Sequence, residues 1–182
     1  ILKDNGALSV DGVDRSGDAI NYAKSNYPAS GINFFLSDAV EYSPSRKYDV
    51  IISIETIQYV DDFRALLKNF YNWLTPGGIL LLAASNRIIT SPHSRSMADK
   101  PSNTTYLREF MAEELVEELK NCGFILKDDY LFGQRQQKYI RNFYLRRLYK
   151  KIFKPDAKSN PAVELLKKGK SPRYFLIKTT KP

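Results

Sequence analysis

Ala7-Leu8-Ser9-Val10-Asp11-Gly12-Val13-Asp14-Arg15-Ser16 decides the fold class. A strand-sized apolar run ends on an acid, Asp14, and a helix-like stretch, Gly17–Asn26, follows at once. A carboxylate at a strand tip accepts from two vicinal hydroxyls together, which is how nucleotide-binding α/β folds hold a ribose. Such a strand is normally second in its sheet. The reading therefore expects a glycine-rich strand–turn–helix ahead of it, which this sequence does not contain.

Outward from that stretch, apolar strand-like runs alternate with helical ones. Strands are expected at 8–13, Ile32–Leu36, Tyr48–Ile54, 79–84, 124–131 and 174–179. Tyr48–Ile54 is continuous and rich in β-branched residues, as in a strand buried on both faces. Phe63, Leu66, Leu67, Phe70, Tyr71 and Leu74 fall at helical spacing, and Pro76-Gly77-Gly78 breaks that helix before the next strand. Residues 113–121 form an amphipathic pattern ended by Gly123. Strands separated by helices predict an α/β fold, a Rossmann-like, mostly parallel sheet with helices on both faces. The segment 88–105 is polar and aperiodic, the kind of long connection that carries function.

Composition bounds the rest. The chain has 182 residues, 43% of them hydrophobic, which suits one globular domain. No apolar run approaches the roughly 18 residues of a membrane span. One cysteine, Cys122, excludes an internal disulfide framework and suits a reducing, cytoplasmic setting. With one histidine beside it, a zinc site is not expected. The 28 basic and 20 acidic residues leave a net charge of +8. All of that excess lies in 134–154, where Arg135, Lys138, Arg141, Arg146, Arg147, Lys150, Lys151 and Lys154 stand without an acid among them. Aromatic and aliphatic residues interleave there on one broad helical face. The reading expects a basic helical insertion or lid at 134–172, with contact to an anionic membrane surface as the next reading. Nucleic-acid and protein contacts come behind these.

Four pieces occur in a fixed order: GVDRSGDAINYAK (12–24), FFLSDA (34–39), YDVIISIETIQYVDD (48–62) and LTPGGILLLAASNR (74–87). Together they resemble class I S-adenosylmethionine-dependent methyltransferases, over roughly residues 1–130. The resemblance implies S-adenosylmethionine as cofactor. It implies that Asp14, with Arg15 beside it, meets the ribose, and that Ser37, Asp38 and Ala39 meet the adenine. Ser53, Ile54 and Glu55 would then lie by the methionine end and the methyl group. Tyr59, in Gln58-Tyr59-Val60, stands where many members carry histidine. It implies further that the first strand and the glycine-rich loop precede Ile1, so that the natural protein extends upstream by about 40 residues or more. As written, the chain is expected to bind cofactor with less than full affinity.

SNRIITSP (85–92) and NTTYLREFMAEEL (103–115) resemble methyltransferases of bacterial polysaccharide and glycan pathways, with Tyr106, Arg108 and Glu109 on the substrate. The expected reaction is methyl transfer to a small-molecule or glycan acceptor, at oxygen. A hydroxyl acceptor needs a base, and Glu55, Tyr59, His93 and Glu109 are the candidates by type. Bland readings stand beside these. Asp14 could cap a helix, although Ser16 is the better cap. Asp38 could be a turn aspartate, Glu55 a solvated strand-end acid and His93 a surface residue. Arg108 and Glu109 could pair with each other or cap the next helix. The rival functions are a non-catalytic methyltransferase-like module and an NAD(P)-dependent oxidoreductase.

Overall fold

The computed structural model describes residues 2–126, 131–133 and 174–182, in two compact units, Ile1–Arg46 and Lys47–Pro182. In the first unit, strand β1 (Val10–Asp14) leads into helix α1 (Gly17–Asn26) and strand β2 (Ile32–Leu36). The two strands pair in parallel, Val10 opposite Ile32 through Asp14 opposite Leu36. Gly12 is required by that pairing: a Cβ there would lie 2.9 Å from the Phe34 ring. Ser16 caps α1 by accepting from Ala19 N at 3.2 Å, as its type predicts. On the other side Asp11 binds Arg46 (2.8 Å) and Asn33 (2.8 Å), which ties the end of the unit to its first strand.

The second unit holds β3 (Tyr48–Ile54), helix α2 (Phe63–Trp73), β4 (Leu74–Ser85), the single-turn helix α3 (Arg87–Thr90), α4 (Ala112–Asn121), β5 (Leu131–Gly133) and β6 (Tyr174–Thr180). Its sheet order is β3-β4-β6-β5. Asp62 caps α2 through Ala65 N at 2.9 Å, and the helix buries Phe63, Leu66, Leu67 and Phe70, the helical stripe read from sequence. The two long helices pack together, α2 against β4 and α4 against β6. Leu80, Leu82 and Ala84, alternating along β4, are fully buried with Phe175, Ile177, Leu115 and Leu119. The α4 end is a closed cap: Phe124 N reaches Leu119 O and Gly123 N reaches Lys120 O, with Gly123 at φ +95°.

The expected α/β architecture is found, with β1–β2 and β3–β4 parallel, and two of its details are corrected, the burial of β3 and the place of the Pro76-Gly77-Gly78 turn. The last strand, β6, runs antiparallel to both β4 and β5, so this sheet is mixed. Strand direction follows from where the chain re-enters the sheet, and a local apolar pattern carries no such information. Of the strand expected at 124–131, positions 127–130 lie outside the described residues. Phe124 is buried against Tyr71, Ile125 makes a single bridge to Thr180, and β5 starts at Leu131. Strand β3 is not buried on both faces, because Val50, Ile52 and Ile54 are exposed. Pro76-Gly77-Gly78 does not precede β4 but sits inside it. Tyr48 and Val50 pair with Leu74 and Ile79, so the turn is looped out of the ladder, with Gly77 at φ +76°. The basic segment 134–154, and the insertion at 134–172, lie outside the described residues.

Candidate active site

In the first unit two acids, Asp14 and Asp38, stand at the ends of adjacent strands. Asp14 ends β1, and Ser37 N donates to Asp14 O at 3.0 Å, so the ladder runs one residue past β2 before Asp38. Asp14 is exposed, and its Oδ1 accepts from Ser16 N at 2.8 Å. The helix cap is Ser16, not Asp14. Asp38 is half-buried, with Oδ1 accepting from Val40 N at 2.7 Å. Ser37 Oγ turns back to Asp38 O at 3.1 Å. Arg15 is exposed and Ala39 half-buried beside them.

In the second unit the ends of β3 and β4 and the turn after β3 build a polar cluster on Glu55. Glu55 has φ +54°, the left-handed region that a residue with a Cβ occupies at a cost. Its main-chain N donates to Ala83 O at 3.0 Å. Its Oε2 accepts from Gln58 Nε2 at 2.9 Å and from Ser85 Oγ at 3.0 Å. Gln58 lies in the 3-10 turn Ile57–Tyr59 and is buried, as is Ser85 at the end of β4. The Tyr106 hydroxyl stands 3.5 Å from Ser85 Oγ, and its ring meets Tyr59 edge-on with centroids 5.1 Å apart. Burial, then the neighbouring Tyr106, raises the Tyr59 phenol above its usual 10.0, with Glu55 adding to the rise. Tyr59 is thereby a neutral hydroxyl at ordinary pH. Ser53, just before, is buried with an Oγ that has no hydrogen-bond partner among the described residues, and Ile54 is exposed.

Other expected residues stand elsewhere. His93 is exposed, with its ring nitrogens 3.3 Å from Lys100 O and 3.4 Å from Ser102 Oγ. Glu109 is 1% exposed and accepts from Ser91 Oγ, which in turn accepts from Ser102 N at 2.7 Å. It holds the loop after α3 in place. Arg108 does not pair with Glu109. It donates to Asp61 O at 2.8 Å and lies over the Phe63 ring at 4.8 Å. Among the described residues no three or more His, Cys, Asp or Glu gather as a metal site.

A family profile described as a methyltransferase domain matches residues 1–127. The chain belongs to the methyltransferase-domain family. It is 29% identical over 123 residues to a probable S-adenosylmethionine-dependent methyltransferase of Mycolicibacterium smegmatis, covering 67% of this chain and 46% of that protein. It is 26% identical over 137 residues to malonyl-[acyl-carrier protein] O-methyltransferase 2 of Ilyobacter polytropus, covering 75% of this chain and 51% of the relative. The chain thus spans about half the length of these curated relatives. In fold it is similar to an S-adenosylmethionine-dependent methyltransferase from Mesorhizobium loti, with TM-score 0.69 and 16% identity over 98% of this chain and 83% of that one. Family membership sets aside the nicotinamide-dinucleotide reading.

Within this family member, the sequence reading missed Gln58 and Ser85 as site residues. The signals were slight. Gln58 follows Glu55 by three residues, one tight turn, and Ser85 is the polar residue that ends the apolar run of β4.

Proposed function

We propose that the protein transfers a methyl group from S-adenosylmethionine to a hydroxyl of a small-molecule or glycan acceptor, with Glu55 as the proton acceptor. The observation that carries this reading is the Glu55 carboxylate, held at a strand end by Gln58 and Ser85 with two tyrosines beside it. The donor and acceptor set of the first unit fits an adenosyl group. Asp14 offers an exposed carboxylate suited to vicinal hydroxyls, and Asp38 on the adjacent strand end suits an exocyclic amino group. Arg15, Ser37 and Ala39 flank them, and Ser53 and Ile54 are assigned to the methionine end. Bound S-adenosylmethionine supplies an electrophilic methyl carbon on a sulfonium, whose sulfur keeps the bonding pair as the new O–C bond forms.

The protein's part is orientation and removal of one proton. Glu55 takes the hydroxyl proton as oxygen becomes an ether. Tyr59, protonated at ordinary pH, donates a hydrogen bond and does not serve as the base. His93 and Glu109 are occupied by the loop that contains the first and precedes the second. Arg108 and Tyr106 are assigned to the acceptor side.

The test is transfer of labelled methyl by the intact protein to hydroxyl acceptors, sugars included, beside their amine counterparts. Transfer to hydroxyl that falls by about 10²–10⁴-fold in Glu55→Gln is the expected result. Label moving to amines alone refutes the oxygen assignment. Cofactor binding without any turnover supports the rival reading of a non-catalytic module.

A further inference from the structure

We propose that Gln58 and Ser85 are positioning residues that together keep Glu55 in its ionised form. The proposal rests on the reading of Glu55 as the proton acceptor. Both donors end on one oxygen, Oε2, at 2.9 and 3.0 Å. Hydrogen bonds to the charged form of a carboxyl favour that form. Gln58 and Ser85 are each 1% exposed, so neither can exchange this partner for bulk water. Rotating Glu55 away leaves buried donors unmatched, and protonating it turns two charge-assisted hydrogen bonds into weaker neutral ones.

The amide of Gln58 shows what it is placed for. Its Oε1 is buried with no hydrogen-bond partner among the described residues, while its Nε2 is on Glu55. Orienting the amide this way sacrifices one polar match to make the other. The backbone agrees. Glu55 sits in the left-handed region, and a residue with a Cβ stays there only where its surroundings over-determine it. Two side-chain bonds and the Glu55 N to Ala83 O bond supply that constraint. Among the described residues, Tyr59 from the turn and Tyr106 from the loop after α3 face this cluster.

The main chain of Gln58 has a separate task. Its carbonyl accepts from Leu107 N at 2.9 Å, next to Tyr106. Changing its side chain leaves that link in place, so the carboxylate can be perturbed without freeing the loop.

The experiment is a carboxyl ¹³C NMR titration of the intact protein labelled at glutamate, with the Glu55 signal assigned by its loss in Glu55→Gln. Ser85→Ala and Gln58→Leu are each expected to raise the Glu55 midpoint by about one pH unit, while Ser85→Thr, which keeps the hydroxyl, holds the parent value. A purely structural role would lower the melting temperature and leave the midpoint still. An unmoved midpoint in Ser85→Ala, the gentler substitution, overturns the proposal even if Gln58→Leu fails to fold. No acceptor is needed, so the result stands apart from turnover. If Glu55→Gln transfers methyl at the parent rate, the base assignment fails while the titration still decides the positioning.

Discussion

Glu55→Gly should be more stable than Glu55→Ala, the reverse of the usual order. Both variants remove the carboxylate, so both orphan the same donors on Gln58 and Ser85. They differ at the backbone, where residue 55 holds φ +54°. A Cβ in the left-handed region costs about 1–2 kcal/mol, and glycine is free of it. Glycine loses about 0.5–1 kcal/mol more chain entropy on folding. The difference leaves Glu55→Gly ahead by about 1 kcal/mol, which for a domain of this size is about 2–4 °C in melting temperature. Both should melt below the parent, since an orphaned buried donor costs about 1–3 kcal/mol. Differential scanning calorimetry of the three proteins at one pH decides it. If alanine melts at or above glycine, the strain assigned to residue 55 is not there. The argument that the site holds Glu55 against its own preference then falls with it.

Asp14→Ala and Asp38→Ala should each weaken binding of S-adenosylhomocysteine to the intact protein by about tenfold or more, given the strength of charge-assisted hydrogen bonds. Ser16 still caps α1 in both, so melting should move little, and calorimetric titration that shows unchanged affinity would remove these residues from the cofactor. Gly123→Ala should lower the melting temperature by about 3–8 °C, because φ there is +95° and a Cβ would lie 3.2 Å from the Tyr71 ring. Gly77→Ala, at φ +76° with open space around it, should cost less. For Tyr59 the folded-state pKa is raised, chiefly by burial, above the usual 10.0. Above pH 10 the unfolded chain releases a proton that the folded one keeps, so stability falls as pH rises there. Tyr59→Phe should flatten that fall, and an unchanged slope in alkaline melts would show that Tyr59 is not responsible.

Much of the fold was legible because each element matched a local rule. Ser16 and Asp62 are of the residue types that cap helices, and both do so. The stripe Phe63, Leu66, Leu67 and Phe70 is the face that α2 buries. Asp14 and Asp38, read as strand-end acids, stand at the same end of adjacent parallel strands. The site was less legible because its contacts join residues remote in sequence. Ser85 reaches Glu55 across thirty positions, and Arg108 crosses to Asp61 rather than to its neighbour Glu109. The exposure of Val50, Ile52 and Ile54 could not be read from an apolar run, since composition reports what can be buried and not what is.

Taken alone, the chain's letters determined periodicity, caps and breakers, and with them an α/β order and a strand that ends on an acid, Asp14. Those features depend on neighbours within a turn or a strand, where geometry is set by the chain itself. Tertiary structure alone decided the direction of β6, the placing of the Pro76-Gly77-Gly78 turn within β4, and the convergence of Gln58, Ser85 and Tyr106 on Glu55. Each of these depends on which distant backbone arrives alongside, and that is settled by packing and by the pairing of buried polar groups.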